Sequence, residues 1–168
     1  MNRKEEEKAR YERLIFTDFA KAANTVADFS VNLESVKSEE PPKPDISCTI
    51  DGQRNYFEMT EITDQGLARN VSISIKKMKI TGRFFSQDEP LIKAFSSKAK
   101  KTYPPLDGPL ELLAYYDKQY PPPTNLIQES TLNTLCLIIR DMTIFGPWSR
   151  LWIYDQWNKN ILGCVSDE

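Results

Sequence analysis

The chain has 168 residues, of which 40% are hydrophobic, and this is enough for one domain with a sizeable core. Its formal net charge is −2, and the absence of histidine excludes histidine-ligated metals and histidine-dependent catalytic triads. Any catalysis by this chain therefore has to use carboxylates, lysines, tyrosines or an oxygen-bound metal.

The cysteine content and the amino-terminal sequence indicate the compartment. Three scattered cysteines are too few for a disulfide framework or a zinc knuckle. The first residues are charged where a signal peptide needs an apolar run, and no run of about 18 apolar residues is present. We therefore expect a cytoplasmic protein that does not enter a membrane.

The first predicted element is one long amphipathic helix over residues 4 to about 36. The apolar residues that recur at helical spacing are Tyr11, Leu14, Ile15, Phe19, Ala22, Val26, Phe29 and Leu33. The proline-rich run at 41–44 is expected to end this helix.

A β-hairpin is predicted next. Ile46, Cys48 and Ile50 alternate with polar residues, Asp51-Gly52 is a hairpin turn signal, and residues 56–62 form a second β-rich run.

The rest of the chain is predicted to alternate helices and strands. For residues 64–83 both strand and helix patterns fit, and the helix is slightly favoured. The later elements are a helix beginning near Pro90 and ending before Pro104, a buried strand at 110–116, a helix at about 125–142, and strands at 150–154 and 161–165. This order indicates an α/β (α+β) fold in which helices flank a mixed sheet, within a single domain over 1–168.

The hairpin places two carboxylates opposite each other. If Asp51-Gly52 is a two-residue turn, Ile50 pairs with Gln53, and counting along the ladder brings Asp45 opposite Glu58. Like charges at such a position destabilise a sheet unless one acid is protonated or a divalent cation lies between them. The pattern therefore predicts a Mg²⁺ site, and Thr60 shares its face of the strand.

Here the sequence resembles the PD-(D/E)xK nuclease superfamily. Pro44-Asp45 and Glu58-Met59-Thr60 occupy the places of the family's Pro-Asp and acid-x-Lys motifs, and the run ending in Thr60-Glu61 is most similar to a subset with Glu-x-Thr-Glu. The resemblance covers about 10–117, leaving a carboxyl-terminal helix and hairpin at 124–166. It implies a restriction-endonuclease-like fold, Mg²⁺ or Mn²⁺ as cofactor, nucleic acid as substrate and a bacterial or mobile-element origin.

The resemblance also implies roles for individual residues. Asp45, Glu58 and the Met59 carbonyl would hold the metal, with Thr60, Glu61 and Glu34 as auxiliary residues. Thr60 stands where the family has its catalytic lysine. Lys98, which shares a helical face with Leu91 and Phe95, is the first candidate for a lysine that has moved to the following helix, and Lys101 is the second.

Charged and aromatic clusters suggest binding surfaces. Residues 69–101 contain nine basic and two acidic residues, and the nucleic-acid contacts expected there are Lys76, Lys77, Lys79 and Arg83. A solvated helix face or a surface for an acidic protein fits the same charges. The cluster of Trp148, Trp152, Tyr154 and Trp157 fits a core or subunit interface better than base stacking.

Three functional hypotheses follow. The first is a divalent-metal-dependent nuclease that hydrolyses phosphodiester bonds. The second is a non-catalytic protein of the same fold that serves as a protein-binding adaptor or subunit. The third is a structural subunit that forms a homodimer through its carboxyl-terminal hairpin.

Overall fold

The computed structural model describes residues 3–26, 30–62, 90–117 and 146–166. Its elements are α1 (Arg3–Val26), β1 (Val31–Ser38), β2 (Ile46–Ile50), β3 (Gln53–Glu61), α2 (Pro90–Ala99), β4 (Leu110–Tyr116), β5 (Arg150–Asp155) and β6 (Asn160–Ser166). The predicted helices at 64–83 and 125–142 lie outside the described residues.

The strands form one six-stranded mixed sheet in sequence order. β3, β4 and β5 are mutually parallel, and the β1–β2, β2–β3 and β5–β6 pairs are antiparallel. The α+β class with a mixed sheet and a long amino-terminal helix is therefore confirmed. The carboxyl ends of three parallel strands meet at one edge of this sheet, where polar groups from neighbouring strands converge.

Helix α1 covers one face of the sheet. Its buried apolar residues recur at helical spacing, and they are Ile15, Phe16, Phe19, Ala20 and Ala23. Phe16 and Phe19 contact the ring of Phe57 from β3, and Phe19 also reaches Trp152 and Tyr154 on β5. Since Glu58 alternates with Phe57 along β3, it faces away from α1 and toward α2, which contacts β3 and β4.

The first helix ends about ten residues before its predicted end, so the expectation of a helix to about residue 36 is wrong. The Asn24 side chain both accepts from the Val31 N–H at 2.7 Å and donates to the Val31 carbonyl at 3.0 Å. These bonds fix the start of β1, which pairs with β2 through a register shift between Asn32 and Lys37. Within this irregular stretch, the Asn32 side chain accepts the Glu34 N–H. The Ser35 hydroxyl donates to the Asn32 carbonyl and accepts the Thr49 N–H, as expected for a β-bulge.

The hairpin has the predicted register. Ile50 pairs with Gln53 and Ile46 with Phe57. Asp51 and Gly52 both have positive φ, 49° and 85°, which a two-residue type I′ turn requires and which Gly favours. The predicted strands at 110–116, 150–154 and 161–165 are confirmed as β4, β5 and β6.

No helix among the described residues has the length and apolar character needed to span a bilayer.

Candidate metal and hydrolytic site

The acid pair predicted from the hairpin register is present. Ile46 pairs with Phe57, so the preceding residue, Asp45, lies across from Glu58. Asp45 Oδ2 accepts the backbone N–H of Met59 at 2.8 Å, which fixes its carboxylate against β3. Glu58 is fully buried. Asp45, which directly precedes β2, and Glu58 of β3 thus lie close enough near the carboxyl end of β3 for their charges to interact.

Both candidate lysines reach this pair. Lys98 Nζ lies 2.6 Å and Lys101 Nζ 2.7 Å from the same oxygen, Glu58 Oε1. A backbone bond from Lys101 N–H to the Lys98 carbonyl at 2.9 Å closes the turn that aims both side chains together. From the sequence, Lys98 and Lys101 were alternatives, but in the structure both ammonium groups bond to Glu58 Oε1.

The second oxygen of Glu58 is in a different situation. Among the described residues, Glu58 Oε2 is buried and accepts no hydrogen bond of ordinary geometry. The buried Tyr103 hydroxyl lies near Glu58, and burial together with this carboxylate raises the pKa of Tyr103. A buried charged oxygen without a partner is costly, and such atoms in native structures call for an explanation such as an ion. The carboxylate therefore has one oxygen held by lysines and one that can accept a further partner, either the nearby Tyr103 hydroxyl or a cation.

The two acids have opposite pKa shifts. Burial raises the pKa of Asp45, and the neighbouring Glu58 carboxylate raises it further. Burial acts in the same direction on Glu58, but hydrogen bonds from Lys101 and Lys98 outweigh it and hold the pKa of Glu58 below its ordinary value. Glu58 is thus the acid that holds its charge more strongly, and the pKa of Asp45 is the one raised by having two acids so close together.

A third acid, Glu12 of α1, lies near Asp45 and was not predicted from the sequence. Glu12 occupies a buried position of the helix, and burial together with Asp45 raises its pKa to about 7. Glu12 and Asp45 line one pocket of about 270 Å³ between α1 and the 39–41 segment, and Lys8 lies beside Glu12 at 3.4 Å. The sequence does contain an indication of this position, because Glu12 lies three residues before Ile15 and four before Phe16, on the apolar face of the helix.

Replacing Glu12 by Gln is expected to stabilise the protein at alkaline pH. The folded-state pKa of about 7 exceeds the ordinary 4.5, so the contribution of Glu12 is favourable below pH 4.5 and is lost as pH rises through 7. Gln avoids burying that charge, and the variant should gain about 1–2 kcal/mol at pH 8.5 but nothing at pH 4.5. Urea unfolding in EDTA at both pH values measures this, with the exposed Glu7→Gln as control. A variant no more stable than the parent at pH 8.5 would contradict the expectation.

Two aromatic residues, Tyr103 and Trp148, pack beside the end of α2. The Lys101 ammonium lies 5.1 Å from the centre of the Tyr103 ring, which packs edge-on against Trp148 at 5.9 Å. At Gly146, an added Cβ would come within 2.8 Å of the Ala99 Cα, so only glycine permits this close approach. The 146–148 segment therefore supports the turn that carries both lysines.

The other predicted site residues lie at different places. Thr60 is buried on β3, on the Glu58 side, and Met59 packs its side chain into the α1 core. Glu61 is exposed as a residue, and partial desolvation of its carboxyl group together with the nearby Asp117 raises its pKa. Glu34 lies on β1 and lines a separate pocket of about 320 Å³. The predicted nucleic-acid contacts at Lys76, Lys77, Lys79 and Arg83 lie outside the described residues.

The tryptophan cluster divides into buried and exposed members. Trp148, Trp152 and Tyr154 are buried, as a core role predicts. Trp157 differs from them, with 62% of its surface exposed, so it does not belong to the core, and for this residue the subunit interface stays a prediction.

The acid cluster is modest in size. Within residues 3–26, 30–62, 90–117 and 146–166, no group of three or more Cys, Asp or Glu side chains is arranged to hold a metal ion. A two-carboxylate site suits Mg²⁺, which keeps several waters and binds through one or two carboxylates and substrate phosphates.

The chain matches no family model, and no curated protein or solved structure is significantly similar to it.

Proposed function

We propose that this protein is a divalent-metal-dependent nuclease with a restriction-endonuclease-like core. The observation that supports this best is the state of Glu58, which is fully buried with two lysines on Oε1 and, among the described residues, no hydrogen bond of ordinary geometry on Oε2. A second carboxylate, Asp45, lies across the strand pair from it. Hard oxygen ligands of this kind fit Mg²⁺ or Mn²⁺.

In this proposal Asp45 and Glu58 Oε2 hold the cation, and the resemblance adds the Met59 carbonyl. Glu12 is the third acid, and together with Asp45 it lines the pocket between α1 and the 39–41 segment, from which water and substrate would approach Asp45. A bound divalent cation supplies Lewis-acid polarisation of a phosphodiester and acidifies a water molecule.

Lys98 and Lys101 take the role that Thr60 cannot fill. Their ammonium groups are held at Glu58 Oε1, so they are fixed in place before substrate arrives. Positive charge fixed at this point would orient the attacking oxygen and stabilise charge that develops on the phosphate. The side chain of Lys101 is 41% exposed and that of Lys98 is 26% exposed, so both remain accessible from the substrate side.

A non-catalytic role in protein binding is the second candidate. It is favoured by the same ion pairs, because two lysines already neutralise Glu58 without a cation. In that case the acid pair is a structural feature of an adaptor or subunit.

A cleavage assay tests the first proposal. The full chain is incubated with Mg²⁺ or Mn²⁺ and with single-stranded, duplex and branched DNA or RNA. Metal-dependent cleavage is expected, with a loss of at least about 100-fold in Asp45→Asn. Glu34→Gln, an acid outside the Asp45 pocket, is the control and should retain activity.

The proposal is wrong if the parent cleaves none of these substrates, or if Asp45→Asn and the parent cleave equally. Absence of cleavage with normal folding favours the adaptor.

A further inference from the structure

Polar side chains lie at the carboxyl ends of three neighbouring parallel strands. Glu61 is the last residue of β3, Asp117 directly follows β4, and Gln156 directly follows β5. Glu61 pairs with Tyr115, and the Gln156 N–H donates to the Tyr116 carbonyl at 3.1 Å, so the hydrogen-bonded ladder continues to this end of the sheet. The three side chains therefore leave the sheet at the same edge. We call Glu61, Asp117 and Gln156 the strand-end cluster.

The strand-end cluster lies on the face of the sheet that α1 covers. Successive side chains of a strand alternate between the two faces. The residues two positions before the members of the cluster pack in the core beneath α1, and they are Met59, Tyr115 and Tyr154. Glu58 lies on the opposite face, so the cluster is separate from the acid pair.

Tyr11 of α1 joins the members of the cluster. Its hydroxyl donates to Asp117 Oδ2, and the Gln156 side chain lies beside the same hydroxyl. The Glu61 carboxyl is close enough to Tyr11 and to Asp117 for their charges to interact. Two carboxyl groups and one amide group thus converge where α1 crosses the ends of the strands.

One atom of the cluster lacks a partner. Gln156 is 2% exposed, and among the described residues its Oε1 is buried and accepts no hydrogen bond. Because the amide group lies beside the Tyr11 hydroxyl, which bonds to Asp117, this oxygen lies next to the acids. A buried acceptor without a partner in a native structure calls for an explanation such as a bound water or ion.

The charges of the cluster favour a positive ion over water alone. Glu61 and Asp117 repel each other. Within residues 3–26, 30–62, 90–117 and 146–166, no lysine or arginine forms an ion pair with Glu61. A cation between the carboxylates would remove their repulsion and give the Gln156 oxygen a partner.

We propose that the strand-end cluster binds a divalent cation through its two carboxylates and Gln156 Oε1, and that Ca²⁺ is the ion that fits it best. Ca²⁺ takes carboxylate and amide oxygens in a large, adaptable shell, whereas Mg²⁺ demands near-ideal octahedral geometry and keeps several waters. This site does not rest on the proposed nuclease function, because Asp45, Glu58 and Glu12 are not part of it.

Calorimetric titration with Ca²⁺ tests the site in the full chain. The Asp45→Asn variant is used, so that the acid pair does not contribute, and it is expected to bind one Ca²⁺. Adding Glu61→Gln removes a charged ligand and should weaken binding at least about tenfold, whereas adding Gln156→Glu supplies one and should tighten binding about tenfold. Adding Glu34→Gln, which removes an acid from β1, is the matched control and should leave the affinity unchanged.

Thermal unfolding distinguishes metal binding from a purely structural role of Glu61. Ca²⁺ should raise the unfolding temperature of the Asp45→Asn chain, and Glu61→Gln should abolish this rise. In EDTA, Glu61→Gln should not lower the unfolding temperature, because Glu61 is exposed as a residue and is repelled by Asp117. Mg²⁺ at the same concentration should give a smaller rise.

Three results would overturn the inference. The Asp45→Asn chain binds no Ca²⁺, its Ca²⁺ affinity is the same with and without Glu61→Gln, or Gln156→Glu with a normal thermal transition binds Ca²⁺ no more tightly. Each of these results leaves metal-dependent cleavage by the parent, and therefore the nuclease proposal, untouched. Ca²⁺ binding that depends on Glu61, in a protein that cleaves no nucleic acid, would instead support the inference and remove the nuclease proposal.

Discussion

Replacing Lys98 and Lys101 together by methionine is expected to cost about 3–5 kcal/mol of unfolding free energy at pH 8. Glu58 is fully buried, and both ammonium groups bond to its Oε1. Without them a buried carboxylate is left uncompensated. Each single replacement leaves one lysine in place and should cost less than half of the total.

The loss should shrink at low pH. In the parent protein the pKa of Glu58 is lowered, so its favourable contribution is present at neutral pH and declines as pH falls through the folded-state pKa. In the double variant burial alone acts on Glu58, and protonation relieves the penalty. Urea unfolding at pH 4 and pH 8 measures both effects, with the exposed neighbour Lys100→Met as control.

A cost below about 1 kcal/mol at pH 8 in the double variant would contradict the ion pairs described here.

Replacing Phe19 by alanine is expected to cost about 3–5 kcal/mol at any pH where the protein is folded. Phe19 is fully buried, and its ring lies 5.4 Å from that of Trp152, 5.8 Å from Tyr154 and 6.1 Å from Phe57. It therefore joins α1 to both β3 and β5. The deletion leaves a cavity at the centre of this contact.

Denaturant unfolding with Phe19→Leu and Leu33→Ala as comparisons tests this point. Phe19→Leu should recover part of the lost unfolding free energy. Leu33 is 37% exposed, so Leu33→Ala should cost less than about 1 kcal/mol. If Phe19→Ala costs no more than Leu33→Ala, α1 is not anchored through this ring.

The site was predictable from the sequence where short-range rules determine it. The Asp51-Gly52 turn fixed the hairpin register, and the register brought Asp45 opposite Glu58. The spacing of Leu91, Phe95 and Lys98 likewise placed Lys98 on the helix face of Phe95, which is buried. Such inferences depend on local geometry alone.

Other features depended on tertiary contacts that no local pattern encodes. Leu33 continues the helical period of α1, but pairing with β2 and the Asn24 side-chain bonds to Val31 make residues 31–38 a strand. Glu12 joins the site because α1 crosses the sheet edge near Asp45, and the choice between Lys98 and Lys101 depended on the shape of the turn that follows α2. Periodicity also could not distinguish the exposed Trp157 from its buried neighbours.

Calorimetric titration of the apo protein with Mg²⁺ and Mn²⁺ at pH 8 is the most direct measurement of the central claim. We expect one bound ion per chain, lost in Asp45→Asn and retained in Glu34→Gln. The claim is contradicted if the parent binds no ion, or if Asp45→Asn binds with the parent's affinity.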